Sequence, residues 1–394
     1  MLFAHGIRFL AAGALFSVLA APITSRAQAP AATPAPSATP SPAPTPTATP
    51  AATIGGDFTA YYFHTYQVNA TGALDTPNGI DLSNRSDISN LLLNVTGGIG
   101  KLRANATVGQ YAFPTVGVAF NPDSQNGANT MLYTALPIYA LQYVFDSHVS
   151  LGAGSFAALL GQESPFTYQN LNVQRGLGWA IEPTISRGVQ AAYSNGPWSL
   201  TAQENDAYYS GKNRAFEGLI GWSPSANTNL QFAAIIPGSN VPPNPTVAIG
   251  NKAEYDLMFT RQIGKLQLLP YLLWVNSPAS SSLGYTSGES ARAAVLIANW
   301  TFSTPWSAAL RYENVHNGSA SGATSPNADL IGYGPGSGAQ TLTITPTWRF
   351  GYNGVLRVEY SAVWLSWFTP GLGFGPNGTG STQNRLGLEF GVMH

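Results

Sequence analysis

The chain has 394 residues, of which only 9% are charged, and a formal net charge of −1. Soluble globular domains carry about 25% charged residues because water-facing surface needs them, so something other than water must cover much of this surface. The small net charge argues against a protein that binds nucleic acid through charge, and no nucleic-acid partner is expected.

The N-terminus has the pattern of a secretory signal. Arg8 precedes an apolar run over residues 9–21, and the small residues Ser25 and Ala27 frame a cleavage site. The run is too short for a membrane-spanning helix, so residues 1–27 are predicted to be a cleaved signal peptide. Residues 28–53 consist almost wholly of Pro, Ala, Thr and Ser, a composition that predicts a disordered linker.

Residues 54–394 contain no stretch of 18 apolar residues, which excludes spanning helices. A closed β-barrel is the other backbone that satisfies its hydrogen bonds in lipid. Apolar residues alternate with polar or charged ones in segments 341–350, 356–364 and 385–392, as strands with one lipid-facing and one inward face require. The fold class is therefore predicted as all-β, a transmembrane antiparallel up-and-down β-barrel.

The same alternation predicts about sixteen strands, a common number for such barrels. Their connections alternate between tight turns and longer polar segments, so both termini are predicted to lie in the periplasm of a Gram-negative cell. The predicted strands are 54–68, 85–99, 101–113, 132–146, 149–162, 184–195, 197–208, 214–223, 228–237, 252–263, 265–276, 290–303, 305–316, 339–350, 355–367 and 383–393.

Aromatic residues collect where the predicted strands end, which is typical of the two interfacial girdles of a membrane barrel. One set flanks the tight turns, and the other lies towards the longer connections. The first set comprises Trp198, Trp222, Trp300, Trp306 and Trp348, and the second comprises Trp274, Trp364, Trp367 and Phe368.

A family resemblance covers roughly residues 56–223, and after that it rests on general barrel character. It rests on Gly56-Asp57-Phe58, Tyr61-Tyr62, Gly161-Gln162-Glu163, Asn170, Asn172, Arg175-Gly176, Pro183, Gly188-Val189, Asn205-Asp206 and Lys212-Asn213. In these residues the chain resembles the family described as putative β-barrel porin, OmpL-like. The resemblance implies an outer-membrane barrel of unassigned solute specificity and supplies no catalytic set.

The residues that carry chemistry in enzymes form no recognisable pattern here. His64, His148 and His316 are widely separated and lie in no H-E-x-x-H motif. A literal G-x-G-x-x-G match over residues 373–378 starts no helix and is predicted to be an outer loop. No catalytic residue, metal site or cofactor is expected, and an outer-membrane hydrolase is the third-ranked hypothesis.

Charged residues of the last four predicted strands all point inward and should form one mixed-charge patch. A second group lies on the connection 163–183, which joins the fifth and sixth strands. The patch could take part in conduction or form a salt-bridge lattice that stiffens the wall. The connection could form a constriction in the lumen or lie flat on the outer rim. The candidate pore-lining residues are Glu163, Arg175, Glu182, Arg311, Glu313, Arg349, Arg357, Glu359, Arg385 and Glu389.

The leading functional hypothesis is a porin, through which small polar solutes or ions diffuse passively, because about sixteen strands enclose a lumen that side chains alone do not fill. The alternative is a non-conducting surface barrel, an adhesin or structural protein that works through its outer loops. The expected partners are outer-membrane lipids, the solutes or ions, and the barrel assembly machinery. Whether the barrel forms a homo-oligomer stays open.

Overall fold

The structure is a computed structural model that describes residues 52–73, 76, 78–120, 133–211, 215–238 and 252–393. The predicted signal peptide and residues 28–51 of the linker lie outside the described residues. Within the described part, none of the helices is long and apolar enough to span a membrane.

Sixteen β-strands form from the described residues, in agreement with the predicted number. Every strand is antiparallel to both of its neighbours. The strands are β1 Thr53–Tyr66, β2 Asn84–Ile99, β3 Leu102–Tyr111, β4 Ile138–Val144, β5 Val149–Ala157, β6 Ile185–Asn195, β7 Trp198–Asn205, β8 Ala215–Ser225, β9 Thr228–Pro237, β10 Ala253–Ile263, β11 Leu266–Ser277, β12 Glu289–Ser303, β13 Trp306–Asn317, β14 Gly338–Phe350, β15 Gly354–Ser366 and β16 Thr382–Val392.

The barrel is closed by the first and last strands. β1 pairs with β16 from Phe58 opposite Val392 to Tyr66 opposite Asn384, so the described sheet has no free edge. Seven tight turns join successive strand pairs, from β2–β3 to β14–β15, at one end of the barrel. The longer connections lie at the other end, so the predicted alternation of turns and longer segments is observed. We call these the short-turn end and the long-loop end. The predicted fold class is confirmed.

Side chains alternate between an outer and an inner face along the strands. On β16, Leu386, Leu388 and Phe390 are about half exposed, while Arg385 and Glu389 are buried inside. The eight tryptophans assigned to the two girdles are all exposed. Phe368 is not part of a girdle, because it is half-buried and packs against an apolar cluster inside the barrel.

Three predicted strands are too long at the long-loop end, because the chain leaves the sheet there by turning. The strand predicted over 132–146 begins only at Ile138, after Thr134 with a φ of 64° and Pro137. The strand predicted over 149–162 ends at Ala157, and the one over 197–208 ends at Asn205.

Pro270 interrupts neither the strand nor its register. The pairs Met258–Tyr271 and Arg261–Leu268 lie on either side of it in the same β10–β11 register. Only the local pairing is lost, since proline has no N–H to donate. β11 therefore has no bulge at this position.

Candidate functional site

The connection between β5 and β6, residues 158–184, lies inside the barrel, and we call it the inner loop. It includes two short 3₁₀ turns, Thr167–Gln169 and Trp179–Ile181. Only a segment within the lumen can reach inward-facing side chains of strands all around the barrel. The inner loop hydrogen-bonds to Asn90 of β2, Glu217 of β8, Asp256 of β10, Arg311 of β13, Glu359 of β15 and Arg385 of β16.

An ion pair joins the inner loop to β13. The Arg311 guanidinium lies 2.6 Å from the Glu163 carboxylate, and both side chains are buried. Arg311 also donates to the Gln174 carbonyl at 2.6 Å. Glu163 is thus in contact with the mixed-charge patch, rather than facing it across an open lumen.

Two carboxylates of the wall accept backbone N–H groups of the inner loop. Glu359 on β15 accepts from Val173 at 2.6 Å and from Gln174 at 2.9 Å. Glu313 on β13 accepts from Leu177 at 3.1 Å and from Gly178 at 2.9 Å. A carboxylate can satisfy several donors at once, so each glutamate fixes two successive peptide groups.

Arginines of β15 and β16 complete this attachment. Arg357 donates to the Asn170 carbonyl at 2.7 Å and pairs with Glu389 on the adjacent strand. Arg385 donates to the Gln174 side chain at 3.0 Å and to the Thr115 carbonyl at 2.7 Å. The inner faces of β13–β16, which we call the anchor wall, therefore bind the inner loop through side chains of both charge signs.

Arg175 organises the inner loop from within. Its side chain has no exposed surface and donates to Thr167 Oγ1 at 2.9 Å. The guanidinium also lies 5.4 Å from the ring centre of Phe113 and 5.5 Å from that of Trp179. These contacts hold the loop in a compact form.

Two predicted site residues lie away from the anchor wall contacts. Arg349 is exposed near the short-turn end, whereas Glu182 is buried beside Glu254 and Asp256 of β10. The sequence analysis did not single out Glu254 and Asp256. Period-two alternation over residues 253–260 would have placed both on the inner face.

Burial dominates the electrostatics of the loop carboxylates. It raises the pKa of Glu163 above its usual value, and the Arg311 charge partly offsets this rise. For Glu182, burial and then the charges of Asp256 and Glu254 raise the pKa well above its usual value. Glu163 thus contacts a cationic partner, whereas Glu182 in the same loop faces acidic groups.

A small cavity of about 20 Å³, roughly large enough for one water molecule, remains beside the inner loop, on the side of β11 and β12. Its lining is mostly amide and carboxylate side chains of the loop, with apolar side chains from the strands. Lining residues include Gln162, Glu163, Asn170, Asn172, Gln267 and Ile297.

A closed sixteen-stranded barrel with a lipid-facing apolar surface and a long loop inside its lumen defines an outer-membrane β-barrel of the porin class. The model of the family described as "Putative beta-barrel porin-2, OmpL-like" matches residues 51–393. The chain belongs to that family, and its location is the outer membrane.

Solved structures with the same fold share little sequence with this chain. The outer-membrane channel DcaP of Acinetobacter baumannii is 12% identical with a TM-score of 0.57, and the alignment covers 87% of this chain and 97% of that one. An anion-selective porin from Comamonas acidovorans is 10% identical with a TM-score of 0.56, covering 87% and 99%. OmpT of Vibrio cholerae is 10% identical with a TM-score of 0.54, covering 87% and 97%. No curated protein matches the chain.

Proposed function

We propose that this protein is an outer-membrane porin in which the inner loop forms the constriction for the passive diffusion of small polar solutes or ions. The observation that carries the proposal is the attachment of the inner loop to the anchor wall by Glu163, Glu313 and Glu359. A loop held inside a barrel narrows the lumen, and charges in a narrow lumen act on passing ions with little screening.

The proposal includes the secretion route and the binding partners that the sequence predicts. Residues 1–27 are removed during secretion, the assembly machinery inserts the barrel, and membrane lipids surround the exposed apolar side chains. A homo-oligomer also belongs to the proposal, because OmpT of Vibrio cholerae is described in a trimer form. Mass measurement of the purified protein in detergent tests this last point.

Single-channel recording in a planar bilayer tests the channel. Purified protein is expected to give stepwise conductance, and deletion of about ten residues around Asn170 should increase the step size, since the lumen widens with fewer loop residues. A shorter deletion in another long connection, residues 281–284, should leave the step size unchanged. A wild-type barrel without conductance would contradict the proposal.

A second candidate, a non-conducting surface barrel, is supported by apolar packing inside the lumen. Leu177 and Ile181 of the inner loop belong to one buried cluster with Ile235, Leu273 and Val295 of the wall. Such a cluster excludes water from part of the cross-section. The bilayer recording separates the two candidates, because a barrel sealed by this cluster shows no steps.

A further inference from the structure

Three buried carboxylates meet where the inner loop returns to the sheet. Glu182 lies near the end of the loop, and Glu254 and Asp256 lie on the inner face of β10. One oxygen of each lies within 4.8 Å of the others. We call these three residues the acidic triad.

The spacing of the triad fits one hard cation. Ca²⁺ binds oxygen ligands at about 2.3–2.6 Å, so two ligands of one ion are separated by no more than about 5 Å. The triad oxygens meet that limit without any movement of the chain. Carboxylates are also the ligands that such ions prefer.

Each member of the triad carries an unsatisfied oxygen. Glu182 Oε1, Glu254 Oε1 and Asp256 Oδ1 are buried and accept no hydrogen bond from the described residues. The buried Tyr271 lies beside Glu182 and interacts with it through its hydroxyl. Buried polar atoms are nearly always satisfied in folded proteins, so three unsatisfied carboxylate oxygens in one cluster indicate a ligand.

The nearby positive charge does not balance the triad. The Lys252 ammonium, which donates to the Ile181 carbonyl, interacts with Glu254 and Glu182. When the three carboxyls are ionised, one ammonium faces three negative charges, and a divalent ion would restore neutrality.

We propose that the acidic triad binds a calcium ion, which clamps the end of the inner loop to β10. Calcium is favoured over magnesium because the triad is buried, whereas Mg²⁺ retains several waters in octahedral geometry. The clamp involves β10 rather than the strands of the anchor wall, and Asp256 already accepts a hydrogen bond from the Gly161 amide near the start of the loop. This site goes beyond the proposed function, since it exists whether or not the barrel conducts.

Metal binding is measured on the purified barrel in detergent after treatment with a chelator. Calorimetric titration with Ca²⁺ should give one site per chain, and Tb³⁺ at the same site should show luminescence sensitised by Tyr271. Glu182→Gln and Asp256→Asn should each weaken binding by at least about tenfold, which corresponds to about 1.4 kcal/mol. Mg²⁺ should compete poorly with Tb³⁺.

Glu204→Gln is the matched control, because Glu204 is an exposed acidic residue on the outer face of β7. It should bind Ca²⁺ as the wild type does. If one triad variant fails to fold, Glu254→Gln supplies an independent comparison. Wild-type protein that binds no Ca²⁺ at millimolar concentration, or triad variants that bind it as tightly as the wild type, would overturn the site.

Discussion

The Glu163 carboxylate on the inner loop lies 2.6 Å from the Arg311 guanidinium on β13, and both side chains are buried. Breaking a buried ion pair by removal of one partner typically costs about 3–5 kcal/mol, because the other charge stays uncompensated. Removal of either partner should therefore weaken the attachment of the inner loop to β13.

The first prediction concerns ion selectivity. Glu163→Gln removes a negative charge and leaves Arg311 with the longer ion pair to Glu313 at 3.5 Å, so the reversal potential in a salt gradient should shift towards that of the anion. Glu204→Gln removes the same charge from the outer face and should cause no shift. Equal reversal potentials for wild type and Glu163→Gln would mean that this pair lies outside the conduction path.

The second prediction concerns the backbone anchors. Glu359→Ala leaves the buried N–H groups of Val173 and Gln174 without their acceptor. Each unsatisfied group costs about 1–3 kcal/mol, so the inner loop should detach locally, and channel current should become larger and noisier. Glu359→Gln, which keeps one acceptor oxygen, should have a smaller effect. If the currents of Glu359→Ala are as small and as low in noise as those of the wild type, Glu359 does not have this anchoring role.

The third prediction concerns orientation in the membrane. Because the chain has no native cysteine, a single introduced thiol can be labelled without background. Ser321→Cys, exposed at the long-loop end, should react with a membrane-impermeant reagent on intact cells, and Ser147→Cys at the short-turn end should not. Permeabilised cells, in which both thiols should react, provide the control. The reverse pattern on intact cells would show an inverted barrel.

The fourth prediction concerns pH and follows from the raised pKa of Glu182. A carboxyl whose pKa is higher in the folded state holds a proton that the unfolded chain has released. Stability should therefore fall as pH rises above about 4.3, the unfolded value, and through the raised folded pKa. The titratable and charged groups around Glu182 are Lys252, Glu254, Asp256, Tyr271 and Glu163.

Thermal unfolding across this pH range, with chelator present, measures the effect. Glu182→Gln should reduce the loss of stability at high pH, and added Ca²⁺ should reduce it in the wild type, because the metal favours the ionised carboxylates. The outer-face variant Glu204→Gln should follow the wild type. If Glu182→Gln loses stability with pH as the wild type does, other groups cause the dependence.

The strands were predictable where their two faces meet different environments. The predictions for β14, β15 and β16 lie within one residue of the observed bounds. There the alternation of residues such as Leu386 and Arg385 reflects lipid on one side and a polar interior on the other. The misplaced ends of β4, β5 and β7 lie at the long-loop end, where the chain turns out of the sheet, as at Thr134 with a φ of 64°.

The partners of the site residues were not predictable from local pattern. Arg311 and Glu163 are 148 residues apart, and their contact depends on barrel closure and on the path of the inner loop. The sequence indicated an inward face for Arg311 and unusual composition for the loop. It could not show that Glu182 faces Asp256 instead of an arginine, because that follows from the direction in which the loop returns to β6.

Closure by β1 and β16 has a consequence for the order of folding. The Val173 amide of the inner loop is bonded to Glu359, 186 residues later, so translation produces the loop long before the strands that anchor it. The loop cannot reach its final position until the C-terminal strands arrive, and contacts at such separation make folding slow. Until then its apolar side chains lack their native partners, and the unfinished chain needs protection from aggregation during its passage to the membrane.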